Sequence, residues 1–186
     1  MSTYFNLHEL EAKAYKPVVL TLGMFDGVHR GHQKVIQTAK KMALDKATEL
    51  LAVTFKSHPI KILKPETDVF HISPFRQKVE LLHEYGVDKI LALEFTLELS
   101  KRTAFEFLNM IYKKQPFTDL VIGYDGTIGS DQENNREKVE AACKKLNVNV
   151  VYVDAEEADG RPISSRRIRR LINEGRSEDA KLLLGR

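Results

Sequence analysis

The chain has 186 residues, of which 42% are hydrophobic and 30% are charged, and its formal net charge is +3. This composition is typical of a globular protein and excludes disordered, collagen-like and solenoid classes, because it contains no low-complexity tract or repeat. The length suits one domain over residues 1–186. Since no apolar run approaches membrane-spanning length and the N-terminus has no hydrophobic signal core, we expect a cytoplasmic protein without a membrane partner.

Strand-like runs alternate with helical patterns along the chain. The pattern predicts a Rossmann-like α/β fold, in which a parallel five-stranded sheet carries helices on both faces. Right-handed crossovers then place the carboxyl ends of the strands at one edge, where such sheets bind ligands. The predicted strands are 17–23, 50–55, 88–93, 119–123 and 148–153, and the predicted helices lie near 30–46, 74–85, 101–114 and 131–146.

Local residues predict several helix ends. Ser73 is expected to cap the second helix, with Pro74 at its first position, and Gly86 follows the end of that helix. Ser100 is expected to open the helix 101–114.

A glycine-rich turn joins the first predicted strand to the first helix. Gly23 and Gly27 let the backbone turn sharply, and His29 and His32 follow at the opening of the helix. Unpaired N–H groups at a helix N-terminus attract phosphate oxygens, and histidines three residues apart can point toward one anion. The alternative, that each histidine only caps or packs, is less favoured because Gly27 and Gly31 frame the pair. The turn therefore predicts a nucleotide phosphate site.

If these histidines must donate hydrogen bonds, a raised pKa would help them. Arg30 lies between them in the sequence and would oppose protonation unless its side chain points to solvent.

Positive charge is concentrated near the C-terminus. The segment 161–176 holds six arginines against one glutamate and follows a predicted polar loop at 155–162. Ser164 or Ser165 would cap a final helix, and Ser165 and Arg169 would share one face of it. For the other arginines, a solvated basic face is at least as good an interpretation as ligand contact. A nucleic-acid partner is not expected, because this segment lacks interleaved aromatic residues.

Three motifs resemble those of a known family. Residues 23–32, Gly-Met-Phe-Asp-Gly-Val-His-Arg-Gly-His, resemble the HxGH signature of the nucleotidyltransferase superfamily in the form found in bacterial FAD synthetases. Residues 54–59, Thr-Phe-Lys-Ser-His-Pro, and residues 163–169, Ile-Ser-Ser-Arg-Arg-Ile-Arg, are similar to two further motifs of that family. The resemblance implies an FMN adenylyltransferase that uses ATP with Mg²⁺ and converts FMN to FAD. The sequence does not contain the kinase module of the bifunctional relatives. The chain is therefore either a natural single-function protein, with a separate riboflavin kinase as its partner, or a chain cut at the boundary between the two modules.

The resemblance also implies roles for individual residues. The catalytic residues would be His29, His32 and Arg169, which stabilise charge in the transition state and bind the leaving group. The ATP-binding residues would be Gly23, Phe25, Asp26, Gly31, Ser165 and Arg169. The acceptor-binding residues would be His58, Pro59, Asp125 and Ile128, and no metal ligand is assigned. Packing explains Phe25 better than base stacking, bonds to local backbone amides explain Asp26, and His58 is explained almost as well by fixing its own turn.

The chain departs from the family pattern around the expected acceptor. Gly126 and Ile128 stand where the family has phenylalanines, Leu63 replaces another phenylalanine, and Arg166 replaces a threonine. These changes leave open a different phosphorylated acceptor, or a non-catalytic protein that binds flavin or nucleotide. The aromatic residues that could restore a stacking wall are Tyr124, Phe70 and Phe75.

Overall fold

The computed structural model describes residues 1–10, 16–67, 69–130 and 135–186. Its centre is a parallel sheet with the order β1-β4-β3-β2-β5-β6. The strands are β1 (Ser2–Tyr4), β2 (Val18–Leu22), β3 (Leu50–Phe55), β4 (Lys89–Leu93), β5 (Phe117–Gly123) and β6 (Asn149–Val153). The fold class and all five predicted strands are confirmed, but the number five is wrong. The additional strand, β1, pairs with β4 at the sheet edge, and three residues are too few to show a periodic pattern.

Eight α-helices, a short 3₁₀ helix (Asp26–Val28) and one small hairpin complete the described part of the chain. The helices are α1 (Arg30–Asp45), α2 (Pro59–Leu63), α3 (Phe75–Glu84), α4 (Leu97–Ser100), α5 (Ala104–Tyr112), α6 (Asn135–Lys145), α7 (Ser165–Asn173) and α8 (Ser177–Leu184). The antiparallel pair β7 (Glu157–Ala158) and β8 (Arg161–Pro162) lies in the segment predicted as a loop. The first residues of the helix predicted at 131–146 fall outside the described residues. Within those residues, no helix is long and apolar enough to cross a membrane.

Helices cover both faces of the sheet, as predicted. Consecutive residues of β2 point to opposite faces, so Val19 packs with Ile36 of α1, whereas Leu20 packs with Leu108 of α5. Both faces of the strand are therefore buried, which explains its continuous apolar sequence. Cys143 of α6 is buried in the same cluster as Leu20 and Leu108.

Two predicted helix caps are wrong. Pro74 has an extended backbone and precedes α3, so Ser73 lies one residue too early to be its N-cap. Ser100 ends the short helix α4, whereas Thr103 caps α5 by a reciprocal capping box with Glu106. The other two predicted helix ends are confirmed. Ser164 caps α7, and Gly86, which has φ +96°, follows the C-cap of α3.

The strand order reverses beside β2. From β2 the chain passes to β3 and β4 on one side, then returns to β5 and β6 on the other. Loops that leave the carboxyl ends of β2 and β5 therefore diverge and open a crevice. The glycine-rich turn, residues 23–29, follows β2 at this crevice, and we call it the histidine turn.

Candidate active site

The histidine turn has an unusual backbone that its packing holds in place. Phe25 and Val28 have φ values of +49° and +38°, which non-glycine residues rarely adopt. Gly27 has φ +77°, and a Cβ atom there would lie 2.8 Å from Cγ2 of Ile72. Phe25 is buried and its ring meets that of His32 edge-on, with 5.3 Å between centroids. Packing is therefore the main role of Phe25 in this structure, and it fixes the position of His32.

The two histidines lie together at the start of α1. Nδ1 of His29 accepts a hydrogen bond from the backbone N–H of His32 at 3.3 Å, so His29 is the N-cap of the helix. In the neutral ring this bond assigns the proton to Nε2, which becomes the donor of His29. The rings stack with 3.6 Å between centroids. Nδ1 of His32 is buried and has no hydrogen-bond partner among the described residues.

Both histidines are neutral near pH 7. Burial lowers the pKa of His29 to about 4, opposed by Asp26 and assisted by Arg169. Burial also lowers the pKa of His32 well below its usual value, and His29 and Lys78 add to this effect. The pKa shift is thus opposite to the one that would favour donation, and each neutral ring offers a single N–H.

Arg30 does not face the pair. Its guanidinium donates to the carboxylate of Glu156 at 2.9 Å.

Asp26 joins the histidine turn to two distant segments. Its carboxylate accepts the backbone N–H of Ile72 at 3.0 Å and forms an ion pair with Arg169. Arg169 also donates to the carbonyl of Phe70 at 2.9 Å, and the hydroxyl of Ser165 donates to the carbonyl of Asp26 at 3.1 Å. Asp26 therefore does bond backbone amides, but those of a segment 46 residues away rather than local ones. Ser165 and Arg169 both face the turn, as their spacing predicted.

A cavity of about 770 Å³ opens beside the turn, within the size range of small-molecule sites. Three predicted residues, Asp26, Arg169 and His58, are not part of its wall in this structure. His58 instead caps α2 by accepting the N–H of Ile60 at 3.2 Å, which is the alternative role considered for it. The predicted residues that do line the cavity are Gly23, Phe25, His29, Gly31, His32, Pro59, Asp125, Ile128 and Ser165.

One end of the cavity is apolar and aromatic. Phe55 ends β3, and its ring lies 5.4 Å from that of Phe95 and 6.4 Å from that of Phe107. We call these three residues the aromatic wall; all three line the cavity. Sequence analysis missed them, although Phe55 and Phe95 lie at or just beyond strand carboxyl ends. Three other aromatic residues were expected to be able to restore a stacking wall. Of these, Tyr124 lines the cavity, whereas Phe70 and Phe75 do not.

The loop after β5 is tightly packed at Gly126 and Ile128, two positions at which the chain departs from the family pattern. Ile128 is buried, and its backbone N–H and C=O both bond the side-chain amide of Asn135, at 3.0 and 2.8 Å. A Cβ atom on Gly126 would lie 3.0 Å from the carbonyl oxygen of Gly123. A larger side chain at position 126 would therefore require the loop to shift.

A buried lysine between the histidine turn and the end of β3 is a second feature that sequence analysis missed. Lys78 of α3 is 3% exposed, and its ammonium donates to the carbonyls of Met24 and Phe55 at 3.2 and 2.7 Å. Burial lowers the pKa of Lys78 to about 8, against the influence of Asp26.

Comparison with known proteins identifies similar chains. The model of the family described as FAD synthetase matches residues 11–167. An FAD synthetase from Listeria monocytogenes is 31% identical over 93% of this chain and 70% of its own length. A bifunctional riboflavin kinase/FMN adenylyltransferase from the same organism is 32% identical over 100% of this chain and 60% of its own length.

Among solved structures, the crystal structure of a macrolide-efflux protein from Streptococcus pneumoniae superposes with a TM-score of 0.88 at 29% identity. This match covers 100% of the present chain and 61% of that protein. The chain thus spans less than two thirds of the length of both that protein and the bifunctional relative.

Proposed function

Because the chain belongs to the FAD synthetase family, we propose that it is an FMN adenylyltransferase, which transfers AMP from ATP to FMN to give FAD and pyrophosphate. One structural observation supports this proposal independently of family membership. A single cavity joins the histidine turn, which suits phosphates, to the aromatic wall, which suits a planar ring system.

The reaction needs little covalent help from the protein. A phosphate oxygen of FMN attacks the α-phosphorus of ATP, an O–P bond forms, and the bond from the α-phosphorus to the bridging oxygen of the β-phosphate breaks. Since the attacking oxygen is already anionic near neutral pH, no general base is required. Catalysis then rests on alignment of the two phosphates and on donors aimed at the growing charge.

The histidines are proposed as these donors. His29 directs Nε2–H away from its cap bond, and His32 lies in contact with its ring. Their low pKa keeps both rings neutral before substrate arrives. Nearby phosphate charge would raise the pKa of both rings and strengthen their hydrogen bonds as the leaving group develops charge.

Arg169 and Ser165 are proposed to act with the triphosphate. In this structure Arg169 is fastened to Asp26 and to the carbonyl of Phe70, so its guanidinium would exchange one of these partners for a phosphate. Ser165 already lines the cavity, and Gly31 lets the helix backbone approach, since a Cβ atom there would lie 3.2 Å from the His29 ring.

The aromatic wall is proposed to hold the isoalloxazine ring. Pro59 and Leu63 of α2 complete this apolar end, and Asp125 and Ile128 line the cavity from the loop after β5. This arrangement supplies the aromatic faces that Gly126 and Ile128 do not. His58 remains a candidate for the acceptor phosphate only if its cap bond is broken.

Mg²⁺ is proposed to arrive with ATP. Within the described residues, no three metal-binding side chains converge, and the carboxylates that line the cavity are Asp125, Asp154 and Glu156. Glu156 is already paired with Arg30 and Lys34. This donor set suits an ion held mainly by phosphate oxygens and water, which is the usual mode for Mg²⁺ with nucleotides.

FMN would come from a riboflavin kinase, an activity named in the bifunctional relative. We propose that this activity supplies FMN to the site in the cytoplasm.

The test is incubation of the purified protein with ATP, Mg²⁺ and FMN, followed by chromatography for FAD and an assay for pyrophosphate. Equal amounts of the two products are expected. Pyrophosphate without FAD when other phosphorylated acceptors are supplied would indicate a different acceptor. Binding of FMN and ATP without any pyrophosphate would indicate a non-catalytic flavin-binding protein.

A further inference from the structure

Lys78 occupies a place where its charge is costly. It is on the apolar side of α3, between Phe75 and Val79, which pack into the core with Leu82. An ammonium is strongly hydrated, and its burial without a directly bonded carboxylate is unfavourable. The ammonium of Lys78 donates hydrogen bonds to two backbone carbonyls, those of Met24 and Phe55. An apolar side chain of the same length would fill this position without desolvating a charge.

Its two carbonyl partners belong to different halves of the cavity. Met24 is in the histidine turn, one residue before Phe25, whose ring fixes His32. Phe55 ends β3 and is the central member of the aromatic wall. One ammonium group therefore binds the backbone of the phosphate end and of the aromatic end at the same time.

We propose that Lys78 is a positioning residue that holds the histidine turn and the aromatic wall in register, so that the two substrates meet at the α-phosphorus. This rests on the proposed adenylyl transfer, since it is there that a fixed distance between the two ends matters. Small errors in the alignment of reacting groups lower the rate strongly.

The charge of Lys78 has a second effect, on His32. Lys78 is one of the groups that lower the pKa of His32. The titratable groups that face Lys78 are Asp26 from the turn, His32 from α1 and His71 from the segment before α3. Of these, only Asp26 favours the charged lysine. Removal of the ammonium is thus expected to raise the pKa of His32, whereas a substitution that keeps the positive charge is not.

The first experiment compares Lys78→Met with Arg76→Met. Arg76 is on the same helix, but its side chain is 93% exposed and pairs with Glu80. Lys78→Met is expected to lower kcat/KM for FAD formation about tenfold or more, by analogy with other positioning residues, while Arg76→Met changes it less than about twofold. Equal losses in the two variants, or no loss in Lys78→Met, would overturn the proposal.

The second experiment needs no substrate and therefore separates this proposal from the proposed function. Histidine titration by NMR in the ligand-free protein is expected to show a higher pKa for His32 in Lys78→Met than in the wild type or Arg76→Met. If the wild type makes no FAD, this shift still tests whether the charge of Lys78 acts on His32. An unchanged His32 pKa would contradict it.

A third variant covers the case in which Lys78→Met does not fold. Lys78→Arg keeps the positive charge and does not titrate in the accessible range. Turnover of the wild type is expected to fall as Lys78 loses its proton, near the pKa of about 8. This fall should move to higher pH in Lys78→Arg. An alkaline fall that is unchanged in Lys78→Arg, or absent from the wild type, would refute the positioning role.

Discussion

The buried histidine pair makes the stability of this protein sensitive to acid. His29 is 5% exposed, and its pKa is about 4 in the folded protein against 6.5 when unperturbed. Between these two values the unfolded chain binds the proton that the folded protein rejects, so stability decreases as pH falls through this window. Above pH 6.5 the ring is neutral in both states, and the penalty disappears.

The size of the effect follows from the two pKa values. Linkage gives a loss of about 2 kcal/mol at pH 5 and about 3 kcal/mol at pH 4, relative to pH 8. His32 adds a loss in the same direction, since burial lowers its pKa too. A free energy of unfolding in the usual range of about 5–15 kcal/mol would be reduced substantially.

His29→Asn isolates this contribution. Asparagine keeps an acceptor for the N–H of His32 and is a good N-cap, but it does not titrate. Urea unfolding of both proteins at pH 8 and pH 5 should show that the wild type loses about 2 kcal/mol more than the variant. Comparison of the two losses cancels the pH-independent effect of the smaller side chain. Equal losses in both proteins would refute the conclusion that burial keeps His29 neutral.

Three further substitutions test separate parts of the site. His32→Ala should lower kcat about 100-fold or more and weaken ATP binding less than about threefold, as measured by steady-state kinetics and calorimetry, because the donor acts mainly in the transition state. Phe95→Leu should raise the KM for FMN about fivefold and leave that for ATP unchanged, since an aromatic contact contributes about 1 kcal/mol. Gly129→Ala should cost at least about 2 kcal/mol in urea unfolding, because its φ is +85° and the new Cβ would lie 2.4 Å from the backbone nitrogen of Ala104.

The features that sequence could predict are those encoded locally. Five strands appear as apolar runs, the histidine turn appears as glycines after the first of them, and Ser165 and Arg169 share a face through helical spacing alone. The contact of Asp26 with the amide of Ile72 joins residues 46 positions apart, and no local pattern encodes it.

Lys78 lies between these cases, because its sequence position did carry a signal. Phe75, Lys78, Val79 and Leu82 follow helical spacing, which places the lysine on the apolar stripe of α3. A lysine in such a stripe usually extends its ammonium to solvent along the helix surface. Only the structure shows that the ammonium reaches the carbonyl of Met24 in the histidine turn and that of Phe55 at the end of β3.

The identity of the acceptor depends on which segment supplies its aromatic contacts. The loop after β5 is packed too closely to accept a larger residue at Gly126, and Ile128 is held by Asn135. Besides Tyr124, aromatic rings reach the cavity from Phe55 at the end of β3, from Phe95 just beyond β4 and from Phe107 of α5. Two of these phenylalanines, Phe55 and Phe107, are on a strand and a helix, and side chains on such rigid elements hold a planar ring with less loss of conformational entropy than side chains on a loop. The departures at Gly126 and Ile128 are therefore compatible with FMN as the acceptor. Substitution of the phenylalanines of the aromatic wall should change which acceptor the protein prefers.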